Sequence, residues 1–232
     1  MKKLLIAVGA IVVIVIGVLA YGASQSGSLI KAAVLEYAPK ATGADVTLGG
    51  VNVSFMSGNA GLTDLTVGNP AGFKSAHAFK VGNMDVKIDL RSLTSDVIHI
   101  KQVRINGANL MYEIGTQGNN ISKIQKNIEA YTQSLGLAAS DESHAKFIVD
   151  HIYITGTKVT LATDLLSGKD AGLTLPDIHL KNVGTEDKGA TAGEVGIAVF
   201  GALNKSLSKV ITKDMLKSGV DSVKKKLGDI FK

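Results

Sequence analysis

The sequence contains no cysteine and no tryptophan, and only three of its 232 residues are proline. Without cysteine, disulfide scaffolds, thiolate metal sites and cysteine nucleophiles are excluded. Aromatic residues make up 5% of the chain and charged residues 19%, whereas hydrophobic residues reach 45%. The chain is therefore too apolar to be disordered, and its core must be built mainly from aliphatic side chains.

The excess of positive charge is confined to one end of the chain. Residues 1–202 carry 17 Lys or Arg and 17 Asp or Glu, whereas residues 203–232 carry eight Lys and three Asp. The carboxy-terminal end thus accounts for the whole net charge of +5. A protein that binds nucleic acid over a broad face carries its basic residues across that face. This distribution argues against nucleic acid and favours a local contact with an anionic surface.

The amino terminus predicts a membrane anchor. Residues 4–21 contain no charge, and at about 1.5 Å per helical residue they are just long enough to cross a hydrocarbon core of roughly 30 Å. Lys2 and Lys3, which precede this stretch, are expected to remain in the cytoplasm by the positive-inside rule. We therefore predict a single-pass inner-membrane protein, with a cytoplasmic tip and anchor over 1–24 and the bulk of the chain in the periplasm. The alternative is a signal peptide cleaved after residues 18–20, although the apolar part of such a peptide usually spans only about 7–15 residues.

Residues 25–190 are predicted to form a mainly β domain. Apolar and charged residues alternate over 84–90, which indicates a sheet with one apolar and one polar face. Such a sheet favours antiparallel pairing. Two helices are predicted, one near 28–38 that Pro39 ends and one over 120–135 that covers the sheet. We therefore expect a curved, groove-like antiparallel sheet with a covering helix.

A ten-residue pattern occurs twice, at 103–112 and at 152–161, 49 residues apart. In each copy apolar residues alternate up to a glycine, Gly107 or Gly156, and then alternate in the opposite parity. Another change of parity precedes each copy. Because a change of parity turns the side chains to the other face, it requires a bulge or a bend, which glycine permits. Each copy is therefore predicted to be one bent strand of a curved sheet; the alternative is that two hairpin strands share a turn residue.

Motifs that carry catalysis are missing from the sequence. It contains no strand-borne Gly-x-Ser-x-Gly elbow, no phosphate-binding Gly-Lys-Ser/Thr loop and no His-Glu-x-x-His pair. His99, His151 and His179 lie in predicted strands, but their spacing does not bring them together as metal ligands. We therefore predict no catalytic residue, no metal site, no cofactor and no enzymatic activity. Convergence of His151, His179 and an aspartate on one point would support an enzyme instead.

Residues 191–232 predict a basic amphipathic helix, because apolar residues recur at helical spacing and lysines cover the remaining surface. One interpretation places Lys217, Lys224, Lys225 and Lys226 on anionic lipid headgroups, with the apolar stripe in the membrane interface. In the other, the same stripe closes the end of the sheet and leaves the lysines in water.

From about residue 1 to 130 the sequence resembles the AsmA-like proteins of bacterial envelopes. The most specific segment is the turn Asn69-Pro70-Ala71-Gly72-Phe73 between two predicted strands. The match continues in Val86-Lys87-Ile88-Asp89-Leu90, in residues 98–107 and in Gly118-Asn119-Asn120-Ile121. It departs at Ala108, where family members often carry proline, and larger members carry hundreds of further sheet residues.

The resemblance implies an inner-membrane anchor and a taco-shaped periplasmic sheet whose concave apolar face holds acyl chains. AsmA-like proteins are tied to phospholipid transport between membranes and to outer-membrane integrity. The expected function is therefore to bind or locally transfer phospholipid, with a longer envelope transport or assembly protein as an expected partner. The residues predicted to line the lipid groove are Val86, Ile88, Leu90, Val103, Ile105, Ile152 and Ile154.

The alternative function is that of a non-catalytic structural or partner-docking protein of the envelope. With about 4.8 Å between strands, some eight strands give a groove of roughly 40 Å, which holds an acyl chain but does not cross a periplasm. An accessible apolar trough would favour lipid binding. A sheet face sealed by the helices at 121–135 and 191–232 would favour the structural function.

Overall fold

The computed structural model describes residues 27–54, 56–115, 118–134, 146–163, 171–184 and 188–190, and twelve residues between 194 and 210 (194–195, 198–199, 201–203, 205–207 and 209–210). The predicted membrane anchor and the predicted membrane-surface lysines, Lys217, Lys224, Lys225 and Lys226, lie outside these residues. Within the described part, no helix combines the length and the hydropathy that crossing a membrane requires.

The structure contains helices and strands in the following order: α1 (Gly27–Thr42), β1 (Val46–Thr47), β2 (Gly50–Ser54), β3 (Asn59–Val67), β4 (Phe79–Ile88), a 3-10 helix (Leu90–Thr94), β5 (Val97–Asn106), β6 (Asn109–Gly115), β7 (Gly118–Asn119), α2 (Asn120–Ser134), β8 (Lys146–Thr155), β9 (Lys158–Thr163), β10 (Ala171–Thr174) and β11 (Ile178–Val183).

Most of these strands are segments of six longer ribbons. β5 and β6, for example, pair with neighbouring strands in a register that continues across the break between them, as do β8 and β9. All strands belong to one sheet. Numbered as they lie side by side, ribbons 1 to 6 span residues 46–54, 59–67, 79–88, 97–115, 146–163 and 171–183.

The two central ribbons, 4 and 5, run parallel. Val103 pairs with Ile152 and Asn109 with Lys158, so that each residue pairs with the one 49 positions later. The two copies of the repeat therefore lie side by side, and the spacing of the repeat is the register in which ribbons 4 and 5 pair. α2 lies in the connection between the two ribbons, as the crossover of a parallel pair requires. The sheet is mixed, and the prediction of an antiparallel sheet was wrong for this pair, because alternation reports which face is buried and not the direction of the neighbouring strand.

Glycine marks the break within each central ribbon. Gly107 and Gly156 have φ angles of 65° and 62°, in the left-handed region that favours glycine. On either side of Gly107, Ile105 and Leu110 are both buried although an odd number of positions separates them. The predicted change of parity at the glycines is thus confirmed.

The earlier change of parity is a β-bulge. Where ribbon 3 pairs with ribbon 4, the register shifts between Lys87 and Ile88. As a result Ile100 and Val103 are both buried, with two outward residues between them. A bulge bends its strand and increases its twist, so the central ribbon carries two bend-forming features.

Helix α1 extends past the residue that was predicted to end it. Pro39 lies inside the helix, which continues to Thr42. A proline inside a helix removes one backbone hydrogen bond and crowds the preceding turn. Ala38 and Ala41 on either side of it are almost fully buried, and this packing offsets the cost. α2, by contrast, spans Asn120–Ser134, in agreement with the predicted 120–135.

The apolar face of the sheet forms one core with the helices. α2 is amphipathic and turns its apolar side inward, whereas its lysines remain exposed. The described residues between 194 and 210 are helical, as predicted for that part of the chain, and their apolar side chains join the same core. The buried helical residues are Ile30, Val34, Ala38 and Ala41 in α1, Ile121, Ile124 and Ile128 in α2, and Val195, Val199 and Leu207 after residue 194.

A polar junction joins the turn after β3 to the start of α2. The Asn120 side-chain nitrogen donates to the Asn69 side-chain oxygen and to the Met111 carbonyl, both at 2.7 Å. Its oxygen accepts from the backbone N–H groups of Glu113 and Ile121. Two segments that are distant in the sequence, 69–73 and 118–121, are thereby held together.

Glu113 closes the same turn. Its carboxylate accepts from the backbone N–H groups of Lys74 and Ser75 and from the Ser75 hydroxyl. Partial burial favours the neutral carboxyl and by itself would raise the pKa of Glu113, but these hydrogen bonds favour the charged form and hold the pKa below its ordinary value.

We expect Asn120→Ala to destabilise the protein by about 2–3 kcal/mol, because it leaves several buried polar groups without partners. Thermal unfolding of the detergent-solubilised chain, followed by circular dichroism, should show a midpoint lower by roughly 5–10 °C. Asn83 is exposed, and its side chain makes no hydrogen bond to any described residue. Asn83→Ala therefore serves as the control. Equal midpoints for the two variants would contradict the role given to Asn120.

Candidate functional site

The residues predicted to line a lipid groove come together on the apolar face of ribbons 3 to 5. Val86, Val103 and Ile152 lie side by side in one cross-strand row. Ile105 and Ile154 are paired in the next row. These rows continue to the sheet edges as Val53, Ala60, Val86, Val103, Ile152 and Leu180, and as Val51, Leu62, Met84, Ile105, Ile154 and Ile178.

This face is covered in the described structure. The six predicted groove residues on the ribbons are at most 6% exposed and form one cluster with the helical residues of the core. Leu90, the seventh, is half-buried at the start of the 3-10 helix. Beside it, Leu93, Gly58 and the end of ribbon 3 line a cleft with an inner space of about 10 Å³. That space holds roughly one water molecule, so an acyl chain enters this face only if a covering segment moves.

The opposite face of the sheet is polar and exposed. Its central cross-strand row passes through all six ribbons, and the row beside it carries Lys87, Gln102, His151 and Lys181. The central row consists of Asn52, Gly61, Asp85, Arg104, Tyr153 and His179.

Three rings cluster where this face crosses ribbons 5 and 6. Tyr153 and His179 stack with their centroids 4.1 Å apart, and the His179 Nε2 lies 3.3 Å from the His151 Nδ1. The Arg104 guanidinium lies over the Tyr153 ring, 5.8 Å from its centroid. The spacing of the histidines did not predict this, so the meeting of His151 and His179 is a finding of the structure.

The aspartate that a hydrolytic or metal site would need does not join them. Asp150 instead bonds to the His99 Nε2 at 2.6 Å. Among the residues that the structure describes, no group of three or more His, Asp or Glu side chains is placed to hold a metal ion. Within the part of the chain that the structure describes, the two histidines therefore lack the third ligand that a metal site needs.

The pKa of His179 lies below its ordinary value of 6.5. The stacked rings remove part of its water, which disfavours the charged ring, and Lys181 and His151 add positive charge nearby. Because the fold lowers this pKa, its contribution to stability is present above pH 6.5 and is lost as the pH falls through the pKa in the folded protein.

We expect Lys181→Gln to raise the pKa of His179 part of the way towards 6.5, because one of the nearby positive charges is removed. The measurement is a titration of the histidine ring signals by NMR. Lys158→Gln, which removes an exposed lysine from ribbon 5, is the matched control. A His179 pKa that is unchanged by Lys181→Gln, or shifted equally by both variants, would contradict this account.

A cleft of about 510 Å³ opens on the polar face over ribbons 1 to 4. Gly61 forms part of its floor, and Asp85, Lys87, Gln102 and Arg104 are among its walls. The sequence analysis missed this cleft, because alternation assigns these charged residues to the exposed face without showing that they surround a depression. A glycine inside a strand was the available signal, since it often marks a close approach or a space.

The fold and its two faces define a class: a mainly β protein, with a mixed sheet that is apolar and helix-covered on one side and polar on the other. Residues 1–195 match the family model of the AsmA family. The chain therefore belongs to the AsmA family, as the resemblance of its motifs indicated, and the match extends past the second copy of the repeat. No curated protein matches the sequence.

Proposed function

We propose that this protein binds phospholipid and transfers it locally, as a non-catalytic module of the bacterial envelope that is anchored to the inner membrane. Membership of the AsmA family supports an envelope-related role. The observation that carries the proposal is the apolar face, whose cross-strand rows are apolar in every one of the six ribbons. A surface of that kind matches the acyl chains of a lipid and offers no group for catalysis.

Lipid binding requires that part of the cover leaves this face. α1 and α2 are tied to the sheet by polar contacts as well as by packing: the Lys31 Nζ donates to the Gly49 carbonyl and the Asn120 side chain to the Met111 carbonyl, both at 2.7 Å. The helical residues between 194 and 210 pack on the core through the apolar side chains of Val195, Val199 and Leu207. All described residues after 195 also lie beyond the family match. We infer that the helical residues between 194 and 210 are the part that moves, and we call them the C-terminal cover.

The charge of the chain suggests what moves the cover. The lysine-rich residues 203–232 overlap the end of the C-terminal cover and follow it. Anionic lipid attracts such a basic segment by about 1 kcal/mol for each lysine near the membrane surface. The apolar side chains of the cover then transfer from the sheet into the membrane interface, as in other amphipathic helices. In this proposal the apolar face opens at the membrane, where phospholipid is available.

A variant that loosens the cover tests the proposal. Leu207 is 1% exposed, so Leu207→Asp places a charge in the core and favours release of the cover. We expect the full chain with this change to co-purify with more phospholipid per protein than the native chain, as measured by mass spectrometry. Ala130→Asp, which introduces the same charge at an exposed position of α2, is the control and should leave the lipid content unchanged.

Because Leu207→Asp also weakens the fold, uptake of a fluorescent phospholipid by the native chain is measured in parallel. Native protein that neither carries nor takes up phospholipid would contradict the lipid function. That result would favour the second candidate, a structural or partner-docking protein with a permanently closed sheet. The observation that favours this second candidate is the deep burial of the predicted groove residues.

The basic end gives a separate prediction. We expect replacement of Lys224, Lys225 and Lys226 by Gln to weaken binding of the full chain, held in phosphatidylcholine nanodiscs, to phosphatidylglycerol vesicles. At low salt the loss should be roughly one to two orders of magnitude, because three attractive charges are removed. The matched control replaces the exposed body lysines Lys74, Lys123 and Lys126 by Gln. Unchanged co-flotation of the first variant would assign the basic end a purely structural role.

A further inference from the structure

We propose that the 510 Å³ cleft on the polar face is a second binding site, which takes a phosphate ester carried on a hydroxyl-bearing group. This site lies on the face opposite to the proposed acyl-chain surface and does not depend on it. Four features of the cleft fit such a ligand: its glycine floor, its two cations without a carboxylate partner among the described residues, the orientation of one of those cations, and its polar side chains that make no hydrogen bond to a described residue.

The floor of the cleft exists because ribbon 2 has no side chain at its centre. Gly61 lies between Asn52 and Asp85 in the central polar row. A Cβ atom placed on Gly61 would meet only the Asp85 carboxylate, at 3.8 Å, which is ordinary contact. Its φ angle is not in the left-handed region. Neither strain nor crowding requires glycine here, so its effect on the structure is the space it leaves.

Two cations face this space, and neither is paired with a carboxylate of the described residues. Lys87 lies in the row beside Gly61, and Arg104 pairs across the strands with Asp85. Even so, no carboxylate among the described residues lies within salt-bridge distance of Lys87 or Arg104. Diagonal neighbours of this kind on adjacent strands are roughly 7–8 Å apart. An anion such as phosphate, bound between them, is reached by both side chains.

Arg104 is held in position by neutral groups. With the Gln102 amide oriented to satisfy both residues, its oxygen accepts from the Arg104 Nε and Nη2 at 3.2 and 3.0 Å. The Tyr153 ring supports the guanidinium from one side and is itself stacked on His179. Because neither contact neutralises the charge, the guanidinium is oriented and keeps its attraction for an anion. Arginine is suited to phosphate because its planar N–H groups match two phosphate oxygens.

The remaining walls suit hydroxyl groups. The side chains of Asn52, Asn59 and Asp85 are exposed, line the cleft and make no hydrogen bond to any described residue. The amides both donate and accept, and the carboxylate accepts from hydroxyl groups. Asp85 also repels a bare anion, so the site favours a ligand whose phosphate lies towards Lys87 and Arg104 and whose hydroxyl groups lie towards Asp85. Glycerol phosphate has this chemistry, either free or as part of a lipid headgroup.

The test uses the full chain in a non-ionic polyoxyethylene detergent and isothermal titration with glycerol 3-phosphate. Gly61→Val fills the floor of the cleft and is compatible with a strand, so it should abolish binding. Arg104→Gln should weaken binding about tenfold or more, because it removes a charge-assisted hydrogen-bonded pair. Gly82→Val is the matched control: Gly82 is an exposed strand glycine of ribbon 3 outside the cleft, and a Cβ atom placed on it would meet no atom within 4 Å.

A second arm separates the two sources of the ligand. The chain is held in phosphatidylcholine nanodiscs and phosphatidylglycerol vesicles replace glycerol 3-phosphate. Gly61→Val is compared with Gly82→Val at equal lipid, with Lys224, Lys225 and Lys226 replaced by Gln in both, so that the basic end does not mask the cleft. Loss of binding in Gly61→Val alone, in either arm, supports the site, and the arm that responds identifies the ligand as the free ester or the headgroup. The proposal is overturned if neither arm distinguishes the two glycine variants. Inorganic phosphate that binds as tightly as glycerol 3-phosphate would overturn the recognition of the hydroxyl groups.

Discussion

The register of the two central ribbons is the constraint on which the rest of the structure depends. A slip of one residue between neighbouring strands would turn every apolar side chain of one strand to the polar face. Ribbons 4 and 5 avoid this because the glycine break and the preceding change of parity recur at the same spacing, 49 residues apart. The apolar rows and the polar rows therefore stay aligned across the whole sheet, in spite of the irregularities.

Alignment of the rows gives the two faces different chemistry. On the apolar face, aliphatic side chains from six ribbons meet helices, and the contact is non-directional, so a covering segment and an acyl chain can replace one another. On the polar face, charged and amide groups surround a glycine, and Gln102 and Tyr153 orient Arg104 among them. Membership of the AsmA family supports an envelope-related role, which we propose that the first face serves. Directional recognition is what we propose for the second face.

The polar junction at the end of the sheet shows how the motifs shared with the family are used. Asn69 and Asn120 belong to two segments that the sequence analysis treated as separate signals, a turn and a helix start. The structure joins them through a hydrogen bond of 2.7 Å. The two asparagines thus make a structural contact that fixes the start of α2 over the apolar face.

The sequence by itself determined the aliphatic core, the two-faced strands, the extent of α2 and the positions of the breaks, because these follow from local periodicity and from the conformational freedom of glycine. It also indicated the family. Only the tertiary structure decided that ribbons 4 and 5 are parallel, that Pro39 is accommodated within α1, and that the predicted groove residues are covered. The same holds for the meeting of His151 with His179 and for the cleft over Gly61. Each of these depends on which distant segments become neighbours, and side-chain alternation along one strand carries no information about that.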